Sequence, residues 1–432
     1  MNIHKILFYI IFSILLVACA QNDQSTPGGV ADTDASGTMP LSPPNILYIV
    51  ADDLGFTDLG AFGSEIPTPN LDRLAHAGLR LNNFHAAAAC RNSRLMMMSG
   101  VSSRMANYPM PDASRGGVLG RDYAIISELL KDVGYATYIT GKWDLGDVAG
   151  YTPGARGFDR SFVEIGGSAS YFSRRFRNRF GYHEDDVRLT AEDLPDDFYA
   201  TDYYTDKMLE FLRSTEAGTP WFAYMPYTSP HWPLQLPDDW LDRHAGNYDD
   251  GYDALRERRF ISALEAGILP EGSNLDGFAP LAEPWANLSP DEQRRYSRAQ
   301  EIFAGMVEYL DMSVGRVVDY LEESGQLDNT VIVFTGDHGA SSGEHGVDTG
   351  RGPRGGGPSV PDEIDNRLEN FGRPNSFVDH GRGFGEAASA PFKHLKGSIT
   401  EGGLRSASFV HYPAEVDASG VSDGFLSMMD IL

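Results

Sequence analysis

Asn45-Ile46-Leu47-Tyr48-Ile49-Val50-Ala51-Asp52-Asp53-Leu54-Gly55 is the stretch from which the architecture follows. Ile46 to Val50 is a short apolar run rich in β-branched residues, the composition of a strand buried on both faces. Asp52 and Asp53 follow at its C-terminal end. Thr68-Pro69 then opens a helix, with Thr68 as N-cap and Pro69 at the first helical position. Leu71, Leu74, Ala75 and Gly78 lie on its inner face.

The same alternation continues along the chain. Ile125, Ile126, Leu129, Leu130 and Val133 mark an amphipathic helix stopped by Gly134, and a strand from Tyr135 to Ile139 leads into Gly141-Lys142-Trp143. Trp221 to Met225 reads as a strand ending at Pro226, just before Ser229-Pro230-His231. A long helical period carries Ile302, Met306, Tyr309, Leu310, Val314, Val317, Val318 and Leu321, with Gly325 as the C′ residue. Val331 to Phe334 is a further strand, ending in Gly336-Asp337-His338-Gly339. Strands alternating with helices give an α/β class with a largely parallel sheet. The polar groups sit just past strand ends, where open α/β sheets place ligands. Gly339 to Ala390 is rich in Gly, Pro and Asn and reads as a long loop excursion. Phe425 to Leu432 reads as an uncapped helix beginning, so a C-terminal subdomain is expected to be truncated.

The chain has 432 residues, with 35 Lys+Arg against 61 Asp+Glu and a net charge of -26. That balance argues against a nucleic-acid partner, because phosphate contacts need a basic face. Any anion site must be basic locally. Residues 1–18 read as a signal peptide: His4 and Lys5 precede an apolar run, Ile6 to Ala18, too short to span a bilayer comfortably. Leu16-Val17-Ala18-Cys19 resembles a lipobox, so Cys19 is expected to carry a lipid. The polar segment 19–42 has no hydrophobic period and reads as a flexible tether with a reach of roughly 25 to 30 Å. The expected location is a bacterial cell envelope, periplasmic or at the outer-membrane surface, with the membrane reached by the lipid alone. Residues 43–432 form the expected catalytic domain.

Asp52-Asp53 and Asp337-His338 are the first chemical constellation. Taken singly, each pair is as compatible with a helix cap or a solvated turn. Two such pairs after two apolar strands make an oxygen-rich site for a hard cation, Ca²⁺ or Mg²⁺. A neutral imidazole at His338 is a less usual partner for a hard ion. Cys90 stands in Ala86-Ala87-Ala88-Ala89-Cys90-Arg91-Asn92-Ser93-Arg94. A lone cysteine is ordinarily a small core residue, but a cation four residues on lowers a thiol pKa and also holds anions. Leu95 and Met96 to Met98 read as the packed face of the following helix. Arg174, Arg175, Arg177 and Arg179, interleaved with Phe172, Phe176 and Phe180, read as a solvated loop or as a subsite for a sulfated sugar.

Together these stretches resemble the type I sulfatases of the alkaline phosphatase superfamily. The resemblance is carried by residues 45–55, Thr68-Pro69-Asn70-Leu71-Asp72, the Cys90 segment, Gly141-Lys142-Trp143, Ser229-Pro230-His231-Trp232-Pro233, Thr335-Gly336-Asp337-His338-Gly339 and Lys396 to Arg405. Asp58-Leu59-Gly60-Ala61-Phe62-Gly63 and Ala390-Pro391-Phe392 are similar to bacterial arylsulfatases. The resemblance implies a three-layer α/β/α sandwich and hydrolysis of sulfate esters. It implies that Cys90 is oxidised to formylglycine by a maturation enzyme and that Arg94 holds it. It implies that Lys142 and Lys396 grip the sulfate, that His231 protonates the leaving alcohol, and that Asp52, Asp53, Asp337 and His338 bind the cation, normally Ca²⁺. The implied substrate is a sulfated small molecule or glycan.

Two positions depart from the family pattern. Asn92 stands where Pro or Ala is usual, and Asp144 where a His is credited with the deprotonation that releases sulfate. Two other readings therefore stay open: a catalytically impaired relative that binds sulfated glycans, and a phosphate or phosphonate ester hydrolase with the same metal cradle.

Overall fold

The computed structural model describes residues 43–432 apart from 107–118, 168, 173–180, 276–279, 342, 344–363 and 417–418. The expected signal peptide, the Cys19 lipid site, the tether and the Arg174 to Arg179 cluster lie outside the described residues.

The expected central strand is β1, Asn45–Ala51. It lies between β8, Trp221–Pro226, and β9, Thr330–Gly336, and is parallel to both. β4, Ala136–Lys142, pairs parallel with β8, and β5, Arg160–Glu164, continues parallel beyond it. Antiparallel strands finish the edges: β6, Tyr182–Glu184, and β7, Val187–Arg188, on one side, and β10, Ser408–His411, on the other. Past β10 come β2, Leu79–Leu81, and β11, Gly420–Ser422, completing ten strands. The sheet is mixed, with a parallel centre where the sequence motifs lie.

Successive side chains of a strand point to opposite faces, and β1 feeds two cores. Leu47, Ile49 and Ala51 pack with helices α1, Pro69–Ala77, α4, Ala200–Ser214, α5, Gly251–Glu265, and α6, Pro290–Glu323. Tyr48 and Val50 pack on the other face with α2, Cys90–Ser99, and α3, Ile126–Asp132. That arrangement is the expected three-layer α/β/α sandwich. Met97 and Met98 are buried core, as their spacing implies, whereas Met96 is only half-buried. No helix among the described residues is long and apolar enough to cross a membrane.

Three local readings differ from the structure. Thr68 precedes α1, but its hydroxyl makes no cap bond; it donates to Asp72. The first amides of α1 are instead capped from a distance by Asp311, which accepts from Asn70 and Leu71 at 3.2 and 2.8 Å. A cap supplied from 240 residues away leaves no local signal. The second difference is α7, Gly381–Ala388, inside the stretch read as loop. Its glycines argue against helix by propensity, yet a Cβ at Gly383 would stand 2.3 Å from the Tyr252 ring, so small residues let α7 lie close on α5. Tertiary packing overrides propensity there. The third is the C-terminal stretch. Leu426–Ser427 is a short strand, β12, beside β3, Phe84–His85, followed by a 3-10 turn, Met428–Ile431, capped by the Ser427 hydroxyl.

Candidate active site

Four strand ends and one helix start deliver the site. In the parallel register Ala51 of β1 lies beside Gly336 of β9, so the residues that follow, Asp52-Asp53 and Asp337-His338, emerge side by side. The Asp337 amide donates to the Ala51 carbonyl at 2.9 Å, tying the two strand ends together. Asp53 has a left-handed backbone, φ 65°, an uncommon conformation outside glycine. Lys142 ends β4, and His231 lies in the loop after β8. Gly141 is required before Lys142: at φ 136° a Cβ would stand 2.1 Å from the Pro226 carbonyl oxygen of β8. Cys90 is the first residue of α2, which sets its sulfur at the helix N-terminus and points Arg94, one turn on, under the site. The Ser93 hydroxyl bonds back to the Ala87 amide at 3.0 Å and fixes the preceding loop.

Arg94 is fully buried. Its guanidinium donates to the Lys142 carbonyl at 2.8 Å, to Asp52 Oδ2 at 3.0 Å and to Asp337 Oδ2 at 3.4 Å. Lys142 Nζ lies 2.5 Å from Asp52 Oδ2, and Lys396 Nζ 2.6 Å from Asp53 Oδ1. His231 Nε2 is 3.4 Å from Asp53 Oδ2. Cys90 Sγ stands 3.2 Å from His338 Nε2 and 3.5 Å from Asp52 Oδ1. The Gly397 amide donates to the Ala88 carbonyl at 2.7 Å, holding the Lys396 loop against the cysteine loop. Nine of the ten residues singled out from the sequence are thus joined by contacts in one largely buried constellation, with Cys90 and Lys396 partly exposed.

Its electrostatics follow from crowding. Burial and the charge of Asp52 push the Asp337 carboxyl up to about 7, and His338 and Arg94 only partly offset this. Burial opposes charging of His338, but Asp337 and the Cys90 sulfur hold its pKa up at about 9. For the Cys90 thiol, burial and Asp52 raise the pKa; Lys142, His338 and Lys396 outweigh them and leave it well below the ordinary thiol range. Burial lowers His231, while Asp53 opposes it strongly enough to leave the imidazole pKa raised.

The same crowding suits a divalent cation. One ligand atom each of Asp52, Asp53, Cys90 and His231 lies within 4.8 Å of the others, and so does one each of Asp52, Cys90, Asp337 and His338. Asp53 Oδ2 is buried and accepts no hydrogen bond. A buried carboxylate oxygen without a donor is costly unless a cation faces it.

Asp144 follows Lys142 with φ 53° and is buried. Arg91 meets it, Nη2 to Oδ1 at 2.7 Å and Nε to Oδ1 at 3.2 Å. Burial raises the Asp144 pKa, and Lys142 and Arg91 reduce but do not cancel the rise. Sequence reasoning missed Arg91, although its position directly after Cys90 was a usable signal. It also missed Asp379, a buried carboxyl 2.7 Å from the Ser341 hydroxyl, pushed up to about 7 by burial and by the charge of Asp53. No motif marks Asp379.

Comparison with known proteins agrees with this geometry. The sulfatase family model matches residues 44–432. An uncharacterized sulfatase of Schizosaccharomyces pombe is 37% identical over 414 residues, covering 90% of this chain and 74% of that protein. An arylsulfatase of Klebsiella aerogenes is 31% identical over 400 residues, covering 87% of this chain and 83% of its own. A crystal structure of Ps i-CgsB in complex with k-i-k-neocarrahexaose superposes with a TM-score of 0.60 at 25% identity, covering 90% of this chain and 70% of that one. The chain therefore belongs to the type I, arylsulfatase-like sulfatase family, built on the alkaline phosphatase superfamily fold.

Proposed function

We propose that the protein hydrolyses sulfate esters, with Cys90 as precursor of a formylglycine nucleophile and Ca²⁺ or Mg²⁺ held by Asp52, Asp53, Asp337 and His338. The observation that carries this reading is the placing of Cys90: its sulfur sits at a helix N-terminus, 3.2 Å from His338, inside a ring formed by Arg94, Lys142 and Lys396. An anion is attracted there although the chain as a whole is acidic. A hydrated aldehyde at residue 90 would supply two geminal hydroxyls: one to attack sulfur as the ester S–O bond breaks, and one whose deprotonation would break the carbon–oxygen bond to sulfate and restore the aldehyde. A cation held by Asp52, Asp53, Asp337 and His338 would supply charge stabilisation at the reacting centre.

The chain's own groups do the rest. Lys142 and Lys396 release their carboxylates to face the sulfuryl oxygens as negative charge develops there. His231, with its pKa raised, carries a proton toward the departing ester oxygen. Asp144 takes the place of the base: burial raises its pKa against the pull of Lys142 and Arg91, which makes the carboxylate a stronger proton acceptor. The proposed substrate class is a sulfated glycan fragment or a sulfated small molecule; the solved relative held with a carrahexaose supports the first. A lipid-anchored envelope location remains part of the proposal, as does a 43–432 catalytic domain.

Turnover of a chromogenic aryl sulfate, set beside the matching phosphate monoester, tests the reaction. Sulfate turnover with little phosphate turnover is the expected result, and the reverse would make the chain a phosphate-ester hydrolase. Mass measurement of the peptide carrying residue 90 should show the aldehyde in protein from its native host. A second reading is favoured by the Arg91–Asp144 pair, which fixes a carboxylate beside the anion site: a protein that binds sulfated glycans without turnover. Retained glycan binding with no turnover of either ester is its signature.

Asp144→His discriminates between roles for that carboxylate. Arg91 is half-exposed and loses little when its partner goes. We expect kcat for the aryl sulfate to rise about tenfold, a small part of the roughly 10²–10⁴-fold that a general base contributes. A fall in kcat would mean that Asp144 has been recruited into a different mechanism, in which a histidine cannot replace it. Chelation of the cation is expected to remove turnover and to lower the melting temperature by a few degrees. A ligand at 100 times its Kd contributes about 2.7 kcal/mol. Unchanged melting and turnover would make the carboxylate cluster purely structural.

A further inference from the structure

We infer that the chemical state of residue 90 selects the cation: with the thiol intact, Cys90, His338, Asp52 and Asp337 form a four-donor site for Zn²⁺ in place of the hard cation proposed for the matured protein. The inference goes beyond the proposed function, because its thiol half needs no conversion and no turnover.

The donors are already arranged. Cys90 Sγ to His338 Nε2 is 3.2 Å, Cys90 Sγ to Asp52 Oδ1 is 3.5 Å, His338 Nε2 to Asp337 Oδ1 is 3.2 Å and His338 Nε2 to Asp52 Oδ1 is 3.9 Å. Zinc bonds of about 2.0–2.3 Å at tetrahedral angles separate donors by roughly 3.3–3.8 Å. The observed edges match within a few tenths of an ångström.

The surrounding bonds turn the right atoms inward. His338 Nδ1 lies 2.8 Å from the Gly339 carbonyl, an oxygen that can only accept. Nδ1 therefore keeps its proton, and Nε2 faces the cluster, where a cation replaces its proton, as in metal-ligating histidines. Asp52 gives its Oδ2 to Arg94 and Lys142, and Asp337 its Oδ2 to Arg94; Oδ1 of each faces the cluster, that of Asp337 also accepting a long bond from the Asp53 amide at 3.4 Å. One thiolate, one imidazole and two carboxylates form a donor set typical of zinc and unlike the six to eight oxygens that calcium takes. Binding releases to solvent the proton on His338 Nε2 and any proton still on the Cys90 sulfur. Conversion of Cys90 removes the sulfur, leaves oxygen in its place and returns the cradle to hard cations.

The test uses the full chain produced with Cys90 unconverted, verified by mass, stripped of metal and titrated with Co²⁺ as a spectroscopic stand-in for zinc. Expected are a thiolate-to-cobalt charge-transfer band that saturates at one cobalt per chain, and retention of one zinc per chain through dialysis against excess calcium. Cys90→Ser should lose the band and weaken zinc binding at least about tenfold, while its melting curve and calcium binding report an intact fold. Should that variant not fold, alkylation of Cys90 in the wild-type chain must abolish the band instead. Cobalt bound without the band, or Cys90→Ser holding zinc as tightly as the wild type, overturns the inference. Aryl sulfate turnover by the matured chain is scored separately, so either idea can fail while the other stands.

Discussion

Cys90→Ala should reduce aryl sulfate turnover by a factor on the order of 10⁶, the scale met when a covalent nucleophile is deleted from an enzyme, and leave the melting temperature nearly unchanged. The two halves follow from different parts of the structure. Cys90 is only partly buried and begins α2, where alanine is acceptable, so truncation opens no core cavity. The Arg94 contacts to Asp52, Asp337 and the Lys142 carbonyl do not involve the cysteine, and the anion-binding ring survives. What is lost is the side chain at the helix N-terminus proposed to supply the attacking atom. A factor of 10⁶ corresponds to about 8 kcal/mol of barrier. Residual sulfate binding with no turnover is the expected phenotype of the variant. Turnover within tenfold of the wild type would sink the nucleophile assignment and, with it, the formylglycine chemistry. In that event an activated water or another side chain must attack.

Much of this was legible in the sequence, for a physical reason. A parallel sheet buries its strands on both faces and ends them at a loop, so an apolar run followed by a charged pair announces itself. Ile46–Val50 with Asp52-Asp53, and Val331–Phe334 with Asp337-His338, are the two clearest cases. Their adjacency is a matter of register, Ala51 beside Gly336, which no single segment encodes. What stayed illegible depends on partners far apart in the chain. Asp311 caps α1 from 240 residues away, and α7 forms from a glycine-rich stretch because Tyr252 needs a near neighbour without a side chain. Neither leaves a periodic or motif signal. Arg91 is an intermediate case: a cation next to the nucleophile was visible, but its pairing with Asp144 required β4 and α2 to be placed together.

Arg259→Met should destabilise the protein by about 3–5 kcal/mol, the range for breaking a buried ion pair from one side. Arg259 lies on α5 and is 1% exposed. It bonds Asp58 Oδ1 at 2.5 Å, and its Nε and Nη2 take both oxygens of Glu65 at 2.8 and 2.9 Å. Asp58 in turn accepts from the Gly55 amide at 2.7 Å, so this cluster ties the loop beyond Asp52-Asp53 to a helix. Without Arg259, Asp58 is left buried with one amide donor, and a carboxylate there is costly. Asp58 is already pushed up by burial against the pull of Arg259, and removing the pull raises it further. Glu65 is pulled the other way, from 4.5 down to about 2, with Arg259 as the chief force against burial. Its lowered pKa contributes stability that is full above about 4.5 and fades as pH falls towards 2. Protonation of Asp58 also relieves the variant at low pH. The stability gap between wild type and Arg259→Met should therefore be widest near neutrality and shrink in acid, measured by denaturant melts at several pH values. Arg259→Met combined with Asp58→Asn should recover part of the loss, because a neutral amide no longer needs the cation. The loop carries two of the proposed cation ligands, so calcium affinity should fall in the single variant and return in part in the double. A pH-independent gap, or a double variant no better than the single, would mean that Arg259 acts through packing of its stem and not through its charge.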